Sequence, residues 1–405
     1  MIYKHLIKYK VMNKSLLLIV LFYIISTNAF AQPEDTVYKF TDDIKNTIEQ
    51  DTTPWKYQIG ANEYAFAGNY RKTRETWDKN RLRLPKITVQ DSLYFTGFMP
   101  AGAKEYILER SKNEQIIIIN EAHTYPNHRT FTHTLLQGLY DNGYRYLGLE
   151  ALFDTLINER KYPVTSSGYY TKEPEFGNLI HAALNIGFTL FGYDDFEHNG
   201  KQREIAQARN IADFIKNHPH SKMLIHCGHD HVIKGTPNDT SWERAMAGRL
   251  KEYTHIDPFT IEQTQFSEKS DEKYNHPFIA MVNKGFPVVL RNEKGDLFKG
   301  KQDSDQVDCS IIHPVTQYVH GRPDWLISVE NRIEYVLTLP GNISYPVMVL
   351  AYRKDEFGSS GVPADIIEIS NANDIRPLIL SNGQYEIIIM NRSYDIVNRQ
   401  YIKAN

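Results

Sequence analysis

Residues 115–123 read QIIIINEAH. Four consecutive isoleucines without polar alternation mark a strand buried on both faces, as in a parallel sheet covered by helices. Asn120, Glu121 and His123 follow with no turn residue between them. An apolar strand that runs straight into a carboxylate and an imidazole is costly unless those groups pair or carry chemistry.

Outward from this stretch the pattern alternates. Leu135, Leu136, Leu139 and Tyr140 give a helix stripe, stopped by Asn142 and Gly143. Residues 144–150 form a second strand, and an insertion rich in Tyr, Ser and Pro follows. A short helix is expected over 179–186 and a third strand over 188–193. Ile205, Ala208, Ile211, Ala212 and Ile215 mark a longer helix, then 223–227 a fourth strand, 242–253 a helix and 255–261 a fifth strand. Strands separated by helices of this length need parallel crossovers, so the fold class is α/β, a largely parallel sheet flanked by helices.

From residue 276 the pattern changes. Short strands are expected over 278–282, 286–290, 333–338, 345–352, 366–369 and 385–390. The α/β domain is therefore assigned to 91–335 and a small all-β module to 336–405. Upstream, Trp55, Ala61, Tyr64, Ala65, Tyr70 and Trp77 recur at helical spacing across a Gly68-Asn69 turn. This hairpin is similar to one tetratricopeptide unit and is expected to pack on its neighbour without a ligand role. Residues 32–50 are polar and acidic and read as a loose leader, which together with the hairpin accounts for 32–90.

In open α/β sheets ligands bind beyond the carboxyl ends of the strands. The first strand leads to Glu121 and His123, the second to Glu150, the third to Asp194, and the fourth to His229 and His231. Glu121 and His123 stand two apart and face one side of an extended backbone, where a carboxylate orients an imidazole and raises its basicity. His229 and His231 repeat that spacing. Such pairs hold a divalent metal or act as base and acid. The metal set would be His123, His229, His231 and Glu150. Arg203 opens the helix after the third strand, where the dipole disfavours a cation, which suits a role in holding a carboxylate or an anionic group. Arg129 stands similarly, with a surface or packing role as its default. Cys227 ends an apolar strand and reads as a small buried thiol. With Cys309 it makes two cysteines, too few for a disulfide framework.

Residues 1–31 have the three parts of a secretory signal. Lys4, Lys8, Lys10 and Lys14 precede an apolar run over 16–25, and Ala29-Phe30-Ala31 supplies the cleavage pattern. The run is too short to span a bilayer. Export to a periplasm or the exterior is expected, with no membrane span after cleavage. The formal net charge of −3 implies neither nucleic acid nor an anionic membrane as partner. The expected ligand is a small molecule or a peptide.

At these motifs the chain resembles a superfamily that groups erythromycin esterase-like proteins, ChaN-like haem-binding lipoproteins and TraB–Tiki proteins. Its strand followed by Gly-Glu-x-His is matched by Asn120-Glu121-Ala122-His123, with Asn for Gly. The ChaN-like continuation is similar to Pro126-Asn127-His128-Arg129 and the later Leu135-Leu136. Glu150, then Gly192-Tyr193-Asp194, match the next two strand ends. Arg203-Glu204, Ala208 and Asn210 resemble the esterase-like helix start, with Glu for Asp. Gly228-His229-Asp230-His231 matches the second Gly-x-x-His motif. The resemblance covers residues 115–260. It implies a hydrolase of ester or peptide-like bonds, metal-assisted or not, with His123 as base oriented by Glu121 or Glu150, His231 with His229 nearby binding a metal or stabilising charge, and Arg203 holding a carboxylate or a substrate anion. Its alternative is a haem- or metal-binding envelope protein without turnover, with His123 and His128 on the haem.

Overall fold

The computed structural model describes residues 36–405, residue 303 excepted. The expected secretory signal, residues 1–31, lies outside the described residues. The centre of the fold is a six-stranded parallel sheet. Its strands are β1 (Ile116–Glu121), β2 (Tyr144–Leu149), β3 (Thr189–Gly192), β4 (Lys222–Gly228), β5 (Phe259–Glu262) and β6 (Cys309–Ser310). They lie side by side in the order β3-β2-β4-β1-β5-β6.

The isoleucine run explains the layering. Ile117 and Ile119 point to one face, onto helices α1 (Pro126–Asp141) and α2 (Pro174–Ile186), among Leu135, Leu136, Leu139, Leu179 and Ile180. Ile116 and Ile118 point to the other, onto α3 (Gly200–Asn217) and α4 (Met246–Thr254), among Ala208, Ile211, Met246 and Leu250. Alternate side chains of one strand thus meet two helical layers, as the absence of polar alternation requires. Each fully buried isoleucine contributes about 1.5–3 kcal/mol. Insertion of β4 between β1 and β2 sets Glu121 opposite Gly228, and Leu149 opposite His226. The carboxyl ends of three neighbouring strands therefore converge.

The C-terminal region is antiparallel. Val347–Arg353 pairs with Asp365–Ile369 on one side and Gly383–Met390 on the other, and Ile396–Ala404 closes the four-stranded sheet. A separate pair, Arg332–Tyr335 with Leu378–Ser381, lies beside it, and its buried Arg332 joins Glu175 of α2 at 3.0 and 2.9 Å.

Two expectations are corrected. Residues 278–282 form part of a helix, Pro277–Val282, not a strand. Pro277 suits the first helical turn, the His276 side chain caps it, and Phe278 and Ile279 are buried; a six-residue apolar run has no period that separates the two states. Residues 41–50 are not loose leader but a helix, Thr41–Gln50, whose Ile44 and Ile48 pack on Tyr64 and Ala67. Two anchors one turn apart suffice for that stripe, and the polar remainder concealed it. The hairpin itself is present as Lys56–Phe66 and Tyr70–Trp77. Gly68 takes φ 69° at its turn and the Asn69 side chain caps the second helix. Among the described residues no helix is long and apolar enough to cross a membrane.

Candidate active site

A cavity of about 650 Å³ opens at the carboxyl rim of the sheet, over β1, β4 and β2. His123, Glu150, Asp194, Arg203, His229 and His231 all line it. Glu121 lies just beneath, 1 % exposed.

The floor is built on two arginine–carboxylate clusters. In the first, Arg129 reaches back from the first turn of α1 to Glu121, with Nε to Oε2 at 2.5 Å and Nη2 to Oε1 at 2.6 Å. Its Nη1 donates to Glu173 at 2.9 Å, and Nη2 also donates to the His123 carbonyl at 3.0 Å. Glu121 Oε1 stands 2.9 Å from Nδ1 of His123. Burial opposes charge on Glu121, but Arg129, His123 and His226 outweigh it and hold the carboxyl well below the usual range. The His123 ring stacks on Tyr170 with centroids 3.9 Å apart. Its other edge lies over Gly228, where an added Cβ would meet Cε1 and Nε2 of the ring at 2.5 and 2.6 Å. Carboxylate, tyrosine ring and glycine together fix the imidazole, with Nδ1 committed to Glu121.

In the second cluster Arg203 makes a fork on Asp194, Nε to Oδ1 at 2.8 Å and Nη2 to Oδ2 at 2.6 Å. Nη2 also donates to Glu150 Oε1 at 2.6 Å. Glu150 accepts the Gly228 amide through Oε2 at 2.5 Å. His231 stands between two acids, Nε2 3.3 Å from Glu150 and Nδ1 2.7 Å from Glu204, and its ring stacks on Trp242. Burial disfavours an imidazolium there, yet Glu150 and Glu204 prevail and raise its pKa to about 10. His229 is the opposite case: burial, reinforced by neighbouring His123, lowers its pKa to about 4. Two histidines two residues apart therefore differ at neutral pH, one cationic and one neutral.

Asn120 ties the rim together. Its Nδ2 donates to the His229 carbonyl and to Glu262, both at 2.8 Å, and its Oδ1 accepts the Gln263 amide at 2.7 Å.

His128 is not brought to the cavity. It is fully buried in α1, its Nδ1 accepts the Ala122 amide at 3.1 Å, and its Nε2 faces Ser267 at 3.4 Å. It offers no second haem ligand beside His123. Among the described residues no group of three or more His, Cys, Asp or Glu side chains is set to hold a metal ion. The donor chemistry agrees: His231 is cationic, and Glu121 and Glu150 are already neutralised by arginines, so His123, His229, His231 and Glu150 do not fit a cation as they stand. Cys227 and Cys309 are free, buried thiols, and burial raises the pKa of both.

Tyr170, Trp77, Trp242, Glu173 and Gly228 were not marked as site residues by sequence. A hint existed for Gly228 in its place after a strand, whereas Tyr170 stands in the insertion after β2, where no spacing rule applies.

Buried His226 also has its pKa lowered to about 4, first by burial and then by Arg129 and His123. In the unfolded chain His226 and His229 take up protons near pH 6.5. In the folded protein they do not until about pH 4. The unfolded state thus binds more protons in between, and stability falls as pH drops from about 6.5 toward 4. His231 acts oppositely: its contribution is complete below about pH 6.5 and is lost as pH rises through its folded value of about 10. Thermal unfolding measured from pH 4 to 10 should therefore give a broad maximum near neutrality. A Tm that stays level from pH 6.5 to 4 contradicts the buried neutral state of these rings.

No family model matches the chain, and no curated protein matches it. Two solved structures show distant likeness. One is titled "The structure of the type III effector HopBA1", at 12% identity and a TM-score of 0.30, covering 44% of this chain and 94% of that one. The other is RRSP, a MARTX toxin effector domain from Vibrio vulnificus, at 15% identity and a TM-score of 0.29, covering 64% of this chain and 50% of that one. This chain spans half of that second structure.

Proposed function

We propose that the protein is an exported hydrolase of ester or peptide-like bonds and that His123 is its general base. One observation carries the reading: the His123 imidazole lines the cavity with Nδ1 held 2.9 Å from a carboxylate that a buried arginine keeps ionised. That arrangement commits Nδ1 to donate and leaves Nε2 as the acceptor. Nε2 takes a proton from water as the water oxygen attacks the carbonyl carbon. The same proton then passes to the leaving oxygen or nitrogen as the acyl bond breaks.

Charge on the carbonyl oxygen requires a donor on the opposite wall. Among the described residues the Nη1 of Arg203 is engaged by no carboxylate, lying 3.4 Å from Nε2 of the cationic His231. Arg203 Nη1 is the donor for the oxyanion; both ring nitrogens of His231 face carboxylates. Asp194 and Glu150 hold Arg203 in place through its other nitrogens.

The test is a panel of esters and amides given to the wild-type protein and to His123→Ala. Turnover by the wild type that vanishes in a folded His123→Ala supports the reading, and a panel left untouched by the wild type removes it. Gly228→Ala probes the same imidazole from below. The methyl group meets the ring edge, so the ring must shift. A displacement on the order of 1 Å costs about 10²-fold in rate. The expected result is a kcat loss of that size with KM little changed; an unaltered kcat would show that the ring position is not critical.

A further inference from the structure

A second cavity, of about 540 Å³, lies between α1, the helix Ala103–Ser111 and the segments 285–287, 313–314 and 324–328. It shares no lining residue with the cavity of His123. His313 lines it and is only 8 % exposed. The tautomer of this ring follows from its partners. Fully buried Gln263 donates Nε2 to the Asn120 carbonyl at 2.7 Å, an oxygen that can only accept. The Oε1 of Gln263 is therefore the atom that faces His313 Nε2 at 3.0 Å, so that nitrogen carries the proton. Nδ1 is left as an acceptor. It has no hydrogen-bond partner among the described residues, yet unlike His226 Nε2 it is not sealed from solvent. Burial lowers the pKa of the ring to about 3, so it stays neutral. An almost buried acceptor of fixed tautomer that opens on a cavity selects a donor.

The remaining polar groups point the same way. The Thr134 hydroxyl spends its proton on the Phe131 carbonyl at 2.6 Å, and the Ser328 hydroxyl on the Trp325 carbonyl at 2.7 Å. Both oxygens therefore offer lone pairs to the cavity they line. Glu105 and Asp324 add two carboxylates. Asp324 accepts the Gln317 amide at 3.1 Å, and among the described residues neither acid is in an ion pair. Lys104 is the one cation among the described lining residues, and Glu330 stands 3.3 Å from its Nζ. Exposed Lys284 lines only a smaller annex of about 230 Å³. The neutral donors are the Asn127 amide and the Trp325 indole. Phe131, Phe286 and Trp325 supply aromatic surface, and Phe286 is more than half exposed. Aromatic faces attract cations.

We infer that this cavity binds a small organic ammonium ion, with its N–H donors on His313 Nδ1 and the carboxylates and its carbon body against the aromatic rings. Other classes fail on one of these counts. A carboxylate or phosphate meets the His313 lone pair and two like charges. A neutral alcohol serves His313 and leaves both acids without a counter-charge. A quaternary ammonium satisfies the acids and the rings and brings no donor for His313. The inference does not depend on the hydrolase reading.

The test is titration calorimetry of the whole protein at pH 7 with 2-phenylethylammonium and three ligands of the same shape: its N-trimethyl form, 2-phenylethanol and 3-phenylpropionate. The primary ammonium is expected to bind, and each of the other three at least about tenfold more weakly, the scale of one charge-assisted hydrogen bond. Asp324→Asn keeps an acceptor for the Gln317 amide and removes the charge, so it should weaken the ammonium by about tenfold and leave the alcohol unchanged. Phe286→Ala, at a ring open to solvent, should weaken it a few-fold, the scale of an exposed cation–π contact. His313→Phe should abolish the preference for the primary over the trimethyl ion. If that variant does not fold, Asp324→Asn and Phe286→Ala carry the test. The inference is overturned if the primary ammonium does not bind, or if the alcohol, the carboxylate or the trimethyl ion binds as tightly. It is also overturned if ammonium binding ignores Asp324→Asn, because the ion then sits elsewhere.

Discussion

Replacing His123 by alanine is expected to lower kcat about 10²–10⁴-fold, the usual contribution of a positioned general base. The fold should survive. The His123 side chain is 20 % exposed, and its ring bond goes to one oxygen of Glu121. Glu121 keeps both bonds from Arg129 when the imidazole is gone, so its charge stays compensated. The remaining losses are the stack on Tyr170 and the edge contact with His229, about 0.5–1.5 kcal/mol for an aromatic pair. Activity and stability thus separate at this residue. The decisive readouts are kcat on the best ester of the panel, Tm, and recovery of rate by added imidazole, which can diffuse into the vacated space. A variant that melts like the wild type and retains kcat within a factor of ten moves the base elsewhere in the cavity.

That this site can be argued at all reflects how much of it lay in short-range pattern. QIIIINEAH marked β1, its double burial and its ionisable end, because apolar run and polar switch are contiguous. The same logic led to Glu150, Asp194 and His231, and all of them line one cavity with His123. What stayed hidden depends on rotation and on distant partners. His128 follows His123 by one turn of chain, but the start of α1 turns it inward to Ser267. Arg129, its neighbour, had a surface role as its default, and it is fully buried on Glu121. The helical pair was expected to pack only; Gln58, Asn62 and Trp77 instead form a cavity wall. No local period encodes which loop a helix end will face after folding. The insertion that supplies Tyr169 and Tyr170 has no period at all.

Arg129→Met is expected to destabilise the protein by about 3–5 kcal/mol, the range for breaking a buried ion pair on one side. Methionine preserves the aliphatic stem and much of the contact with the Phe176 ring, over which the guanidinium stands at 4.7 Å. What it removes is the cation shared by two acids that are both almost wholly buried, Glu121 and Glu173. Burial, aided by Glu175, already raises the pKa of Glu173, so without Arg129 the pair cannot remain doubly ionised. The variant therefore takes up a proton on folding near neutral pH. A folded carboxyl pKa raised above its unfolded value gives stability that is lost as pH rises, so the deficit should be larger at pH 8 than at pH 6. In the wild type Glu121 is held ionised and adds no such loss over this interval, while the fall due to His231 is common to all the proteins compared. Adding Glu121→Gln to Arg129→Met removes one of the stranded charges and should recover part of the stability without recovering turnover, since the carboxylate that orients His123 is gone. Urea unfolding of the three proteins at pH 6 and 8 measures these terms. A single variant within 1 kcal/mol of wild type at pH 8, by the same scale of about 3–5 kcal/mol for a stranded buried charge, would mean that water enters the floor of the site. The ionised base-orienting carboxylate would then need another physical explanation than the buried arginine beneath it.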